Sequence, residues 1–281
     1  MDHRGKIVIV TGASSGIGLV TARAFAERGA TVVGVARREA LLEKLITECR
    51  ASSPDSIYLN GDLAEASFAE EIVDETVRRF GRLDILVNNA AVSKHKQIHH
   101  TTADEAAWVM RVNFESAMRS CLAAIPHMLA EGGGTIVNVS STAAHIVPTR
   151  EAIYAASKAA LDAFSQGLAL DLQGTDIHVA NIIPGAIDTE IWDKEDEPVA
   201  FDGKKHPPEV VTRAIFEAIE KKKVELWAPR LDPPLLVART LRALWPSMLR
   251  AGMRRMDPVP EDVVRRARER AKSGKRNGDL S

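Results

Sequence analysis

The run Lys6-Ile7-Val8-Ile9-Val10-Thr11-Gly12-Ala13-Ser14-Ser15-Gly16-Ile17-Gly18 decides how this chain folds. Within it, Ile7 to Val10 are continuously apolar and β-branched, as suits a strand covered on both faces. A glycine turn follows at once and leads into an Ala-rich helical stretch over residues 17–28. Glycines at such a junction let the backbone turn tightly and approach a pyrophosphate, while the N–H groups of the helix start favour negative charge. A glycine triplet alone also marks ordinary turns. Its place between a strand and a helix is what points to a nucleotide.

The same alternation continues outward from that run. Short β-branched segments at 6–11, 31–36, 56–60, 83–88, 134–140, 178–183 and 224–228 read as strands, and helical periodicity covers 17–28, 39–50, 66–80, 104–131, 152–173 and 208–222. Strand and helix in repetition predict an α/β protein, with a parallel sheet covered on both faces and right-handed connections. In such a doubly wound sheet, ligands lie at the carboxyl ends of the strands. The segment 188–208, rich in charge and proline, reads as a mobile stretch between the sixth strand and the next helix.

Composition sets the outer limits. The 281 residues are 45% hydrophobic and 27% charged, with 37 Lys+Arg against 38 Asp+Glu, which excludes a disordered chain. Two cysteines, Cys49 and Cys121, cannot make a disulfide framework, and no apolar run has the length of a membrane span. No cleavable leader is expected, since Met1 to Lys6 passes straight into the first strand. These features predict a reducing, cytoplasmic setting. The near-zero charge is unevenly divided: residues 235–281 carry 12 Lys/Arg and 5 Asp/Glu, a balance of +7, which leaves −8 for residues 1–234. With the Pro229-Arg230-Leu231-Asp232-Pro233-Pro234 break, this predicts a catalytic domain over 1–228, a basic helical extension over 229–271 and a disordered tail over 272–281.

Three further strand ends carry polar residues. Arg37 and Arg38 close the second strand, where an acid would accept from a free ribose 2′-hydroxyl and an arginine pairs with a 2′-phosphate. The phosphate of NADP is therefore expected on Arg37, with Arg38 and the Ser14 hydroxyl as further partners. Asp62, followed by Leu63, ends the third strand; it can accept from an adenine amino group or cap the helix behind it. Asn88-Asn89-Ala90-Ala91 ends the fourth strand, with amides able to fasten neighbouring strand ends and the nucleotide.

Taken with Asn113, Val139-Ser140-Ser141, Tyr154-x-x-x-Lys158 and Pro184-Gly185-x-x-x-Thr189, these residues resemble the short-chain dehydrogenase/reductase family, over roughly residues 4–228. The resemblance implies a Rossmann-type doubly wound fold and an NADP(H)-dependent enzyme acting on an alcohol or a carbonyl. The family spacing of thirteen and then four residues selects Ser141 over Ser140 as the catalytic serine. It also implies that Asn113 kinks its helix around a proton-relaying water, and that Thr189 binds the nicotinamide carboxamide. Expected cofactor contacts are Gly12, Ser14, Ser15, Gly16, Ile17, Gly18, Arg37, Arg38, Asp62, Leu63, Asn89, Ala90, Tyr154, Lys158, Pro184, Gly185, Ile187 and Thr189. Ala91 departs from the family, which usually has Gly there, and narrows the pocket floor without removing a chemical group.

The chemistry also follows from the side chains. Tyr154 and Lys158 are four apart in a helical segment and share one face. Lowering a phenol pKa from about 10 to near 7 requires about 4 kcal/mol. A lysine cation about 5 Å away contributes roughly 3 kcal/mol at an effective dielectric of about 20. Much of the remainder can come from the oxidised nicotinamide, so Tyr154 is a general acid/base only with Lys158 and cofactor together. Ser141 would orient the substrate oxygen and Lys158 would hold the nicotinamide ribose.

Outside this set, His95, His99 and His100 read as a solvated loop and no metal is expected. His145 and Trp192 are candidate substrate contacts, Trp192 as an apolar anchor on a lid. In the extension, Leu241, Leu244, Trp245, Met248, Leu249, Gly252, Met253 and Met256 recur at helical spacing beside Arg239, Arg242, Arg250, Arg254 and Arg255, with Pro246 splitting the stripe into two helices. Residues 259–272 read as a final helix. The stripe suits packing on the core or on a second subunit of a homodimer or homotetramer, or else peripheral contact with an anionic membrane; nucleic acid is not expected. The rival to an enzyme is a catalytically silent NADP-binding regulatory or scaffold protein of the same fold.

Overall fold

A computed structural model of the chain describes residues 2–192, 203–230 and 232–245, together with 247, 248, 252, 265, 268 and 269. The quoted run forms β1 (Ile7–Thr11), buried at every position, and α1 (Gly16–Glu27). Then come β2 (Thr31–Ala36), α2 (Glu39–Arg50), β3 (Ile57–Asn60), α3 (Phe68–Phe80) and β4 (Ile85–Asn88). After β4 the chain forms α4 (Ala103–Met110), α5 (Ser116–Ala130), β5 (Gly134–Val139), α6 (Ala152–Asp171), β6 (Ile177–Pro184), α7 (Glu209–Glu220), β7 (Glu225–Ala228) and α8 (Pro233–Leu244).

All seven strands are parallel, in the order β3-β2-β1-β4-β5-β6-β7. The sheet is thus a single doubly wound, Rossmann-type unit. Side chains of β1 alternate across it: Val8 and Val10 pack with Phe25, Leu45 and Ile215 from α1, α2 and α7, while Ile9 packs with Ile72, Met128 and Leu168 from α3, α5 and α6. Strand order reverses between β1 and β4. Loops from the two halves part there, and a crevice opens at the carboxyl ends.

The helix expected over 104–131 is interrupted. Between α4 and α5, residues Arg111–Glu115 form one turn of π-helix, and Asn113 is in it. In the wider turn the backbone ladder shifts by one residue, with the Ser116 N–H donating to the Arg111 carbonyl. Thr102 and Glu105 close a reciprocal capping box at the start of α4.

The extension begins on the same body. Pro233 opens α8, as proline in a first helical turn can. The Arg239 guanidinium lies 4.0 Å from the Trp227 ring centroid and His206 Nε2 is 3.1 Å from Asp232 Oδ2. Pro246, most of the apolar stripe beyond it, and most of the helix expected over 259–272 lie outside the described residues, as do residues 193–202 of the segment expected to be mobile at 188–208 and the tail from 272. Among the described residues no helix is long and apolar enough to cross a membrane.

Candidate active site

A cavity of about 980 Å³ occupies the crevice at the strand ends. Its wall includes every expected cofactor residue except Gly18, together with Ser141 and Trp192. Gly18 acts one layer behind: a Cβ there would collide with the Gly12 carbonyl and the Asn89 amide, so its bare backbone permits α1 to approach the strand ends. Gly16 has φ +54 and leaves room for Thr189, whose Cγ2 would lie 2.9 Å from an added Cβ. Ser15 at the start of α1 makes no side-chain cap, so the first-turn N–H groups have no such partner beside the cavity. That donor set suits a pyrophosphate.

Strand ends are fastened to one another by side chains. Thr11 Oγ1 accepts from the Asn89 and Ala90 N–H groups at 2.9 and 3.0 Å, and Asn89 Nδ2 donates to the Thr11 carbonyl at 2.9 Å. Asn88 reaches the other way, donating to Asn138 Oδ1 at 2.9 Å. The roles of Thr11 and Asn138 are not legible in the sequence, because a buried threonine or asparagine in a strand has no distinctive spacing.

The two arginines after β2 have different partners. Arg38 donates to Ser14 Oγ through Nε at 3.3 Å and Nη2 at 3.2 Å, and through Nη1 to Glu190 Oε2 at 2.7 Å. Arg37 leans toward the other side, with Nη1 3.6 Å from Asp62 Oδ2. Ser14 and Arg38, not Ser14 and Arg37, thus form the joined pair. Asp62 caps a turn by accepting from the Ala64 N–H at 3.0 Å, well before α3 begins at Phe68.

At the other end of the cavity stand Ser141, Tyr154 and Lys158. Tyr154 and Lys158 project from one face of α6, and the Lys158 Nζ is 6.0 Å from the Tyr154 ring centroid. Lys158 is 2% exposed and donates to the Val139 carbonyl at 2.8 Å. Burial pushes its pKa down to about 7. Burial drives the Tyr154 phenol the other way, above its ordinary range, helped by the Glu151 carboxylate, while a hydrogen bond with Ser141 opposes both. Ser141 Oγ also accepts from the Ala143 N–H at 3.1 Å, which fixes its rotamer. Asn113 is buried behind this group. Its Oδ1 accepts from Val92 N–H at 2.8 Å, and Nδ2 donates to the Val92 carbonyl at 2.9 Å and to Ser157 Oγ at 3.0 Å.

Two expectations about histidines are corrected. His145 does not line the cavity. Its ring packs on Trp227 with centroids 4.9 Å apart, and Nε2 is 3.4 Å from Asp162 Oδ1, so an apolar face and a carboxylate hold it on the far side of the 3₁₀ turn Thr142–Ala144. His95, assigned to a solvated loop, is 4% exposed, lines the cavity and has Nδ1 3.5 Å from Glu151 Oε1. Its loop folds inward because both flanking lysines meet Glu105, Lys96 at 2.7 Å and Lys94 at 3.5 Å. The Lys96 hydrogen bond holds the Glu105 carboxyl down at about 2. Glu151, one helical turn before Tyr154, was the legible signal for this corner. Trp192 lines the cavity and donates from Nε1 to the Ile187 carbonyl at 2.6 Å, with Lys205 Nζ 4.3 Å from its ring centroid. Among the described residues no cluster of three or more His, Cys, Asp or Glu side chains is placed to hold a metal ion.

Comparison with known proteins agrees with this architecture. The family model described as short chain dehydrogenase matches residues 6–200. An uncharacterized oxidoreductase of Bacillus subtilis (strain 168), YxnA, is 32% identical over 232 residues, which cover 80% of this chain and 65% of the relative's length. A short chain dehydrogenase/reductase from Burkholderia phymatum, solved in complex with NAD, superposes with a TM-score of 0.78 at 25% identity, covering 86% of this chain and 94% of that one. A short-chain dehydrogenase from Sphingobium yanoikuyae, solved in complex with NADPH, superposes at 0.74 with 26% identity, covering 98% of both chains.

Proposed function

The chain belongs to the short-chain dehydrogenase family, and on that premise we propose that it is an NADP(H)-dependent oxidoreductase acting on a carbonyl or secondary alcohol of a small, apolar substrate. One observation carries this reading: a single cavity has Ser14 and Arg38 at one end and Ser141, Tyr154 and Lys158 at the other. The glycine turn, the uncapped start of α1 and the Arg38–Ser14 pair fit a dinucleotide with a 2′-phosphate.

When bound, the nicotinamide supplies or accepts the hydride. Tyr154 gives a proton to the developing alkoxide in reduction and removes it in oxidation. Ser141 hydrogen-bonds the substrate oxygen and holds it against the phenol. Lys158 binds the nicotinamide ribose hydroxyls, and when protonated lowers the cost of the phenolate. Asn113 holds open a wide helical turn behind Lys158, where a water can carry protons outward. Thr189 orients the carboxamide. Around the reacting end, Ala91, Val92, Trp108, Val112, Ile146 and Trp192 make an apolar wall that suits an apolar substrate.

Two free, buried cysteines support a cytoplasmic setting; burial pushes Cys49 up to about 11 and Cys121 to about 12, which keeps both thiols protonated. Exposed Leu122 and Leu129 on α5 and Leu170 on α6 support a homo-oligomer. On α8 the outward residues Leu236, Val237 and Leu244, followed by Trp245, are all exposed, which favours contact of the extension with a second subunit or an anionic membrane. The deciding experiment monitors NADPH and NADH oxidation against a panel of aldehydes and ketones, with the reverse assay on alcohols. Absence of turnover across the panel overturns the enzymatic reading.

A further inference from the structure

Arg38 already has an anion beside it. Glu190 Oε2 accepts from its Nη1 at 2.7 Å while Ser14 Oγ accepts from its Nε and Nη2 at 3.3 and 3.2 Å. Glu190 follows Thr189, which packs over Gly16, so this carboxylate arrives from the far side of the crevice, after β6, and closes over the glycine turn. The end of β2 itself has no acid. Glu190 supplies one at that place in space. The side chains of Arg38 and Glu190 are 39% and 43% exposed, so the ion pair is screened by water and weak.

A 2′-phosphate and Glu190 compete for the same guanidinium. The phosphate brings close to two negative charges and three acceptor oxygens, and prevails over one screened carboxylate. A ribose with a free 2′-hydroxyl has nothing with which to displace Glu190, and finds in it the acceptor that such a hydroxyl requires. We propose that Glu190 is a cofactor-selecting residue: it offsets Arg38, reduces the preference for the 2′-phosphate and admits the cofactor that lacks it. The inference rests on the assignment of Arg38 and Ser14 to the 2′-phosphate.

Fragments of the cofactor test it without reference to turnover. Adenosine 2′,5′-bisphosphate and adenosine 5′-monophosphate are titrated calorimetrically into the wild type, Glu190→Gln, Glu190→Ser, Arg38→Gln and the Arg38→Gln/Glu190→Gln double variant, with circular dichroism as the check on folding. Wild type should bind the bisphosphate more tightly. Both Glu190 variants should widen that preference about fivefold, corresponding to about 1 kcal/mol, and the widening should vanish in the double variant. An unchanged preference in both Glu190 variants overturns the selecting role while leaving the 2′-phosphate assignment in place. Equal binding of the two fragments by wild type and by both Glu190 variants overturns the assignment, and the inference with it.

Discussion

Asn113 grips Val92 from both sides: its Oδ1 accepts from the Val92 N–H at 2.8 Å, and its Nδ2 donates to the Val92 carbonyl at 2.9 Å. One buried amide thus satisfies a full backbone unit of the loop that carries the cavity wall after β4. Asn113→Leu leaves both Val92 groups without their partner and should destabilise the protein by about 1–3 kcal/mol. Urea unfolding checks the loss. A midpoint equal to wild type would remove the structural part of the assignment.

Tyr154→Phe deletes the hydroxyl and little else. Turnover should fall by about 10²- to 10⁴-fold while NADPH binding, read by fluorescence titration, stays nearly unchanged. Retained turnover would show that another group moves the proton.

Arg38 and Arg37 should differ in their effects. Arg38→Ala removes the guanidinium joined to Ser14 and should weaken NADPH by tenfold or more, about 1.5–3 kcal/mol, with little effect on NADH. Arg37→Ala, whose guanidinium leans toward Asp62, should cost less. Equal losses for the two cofactors in Arg38→Ala would argue against a phosphate at that place.

Burial lowers Lys158 to about 7 in the folded protein from an ordinary value of 10.5. Between these values the unfolded chain binds more protons than the folded one, so stability rises with pH across the window, and the cost of the buried ammonium is fully present below pH 7. The Cys49 and Cys121 thiols work in the opposite sense above about pH 9, which leaves pH 7 to 9 as the informative range. Nucleotide-free wild type should gain stability over that range, and Lys158→Met should gain less. Parallel slopes in denaturant titrations would mean that Lys158 is not titrating there.

On the outer side of α8, Val237 is 59% and Leu244 61% exposed, and Trp245 just beyond is 54% exposed. If this face meets an anionic bilayer, the protein should sediment with phosphatidylglycerol vesicles at low salt and be released by high salt. Val237→Ser/Leu244→Ser should lose that binding. If the mass in solution falls in the same variant and no lipid binding is seen, the face is a subunit contact.

Much of the architecture was legible locally. Residues 7–10 are apolar at every position and run through Thr11 into a glycine, and short β-branched runs recur from Thr31, Gly134 and Ile177, so strand positions are readable to within one or two residues. The family resemblance alone implies an irregular helix at Asn113. Its form, a π turn inside an otherwise regular helical pattern, has no signature in hydrophobic periodicity. The polar corner is not legible in the sequence, because burial of His95 depends on Glu105 neutralising two lysines and on Glu151 arriving from the start of α6.

By itself the sequence determined the parallel sheet, through the strand–helix alternation along the chain, and the glycine turn before α1 and the shared helical face of Tyr154 and Lys158, each of which depends on backbone geometry within a few residues. The direction of individual side chains was decided only by the tertiary structure. His145 turns to Trp227 and Asp162, and Arg38 meets Glu190 at a sequence separation of 152. Such choices depend on which surfaces the strand order of the sheet brings within a few ångströms. Periodicity reports which face of an element is buried, and carries no record of the residue waiting on the other side.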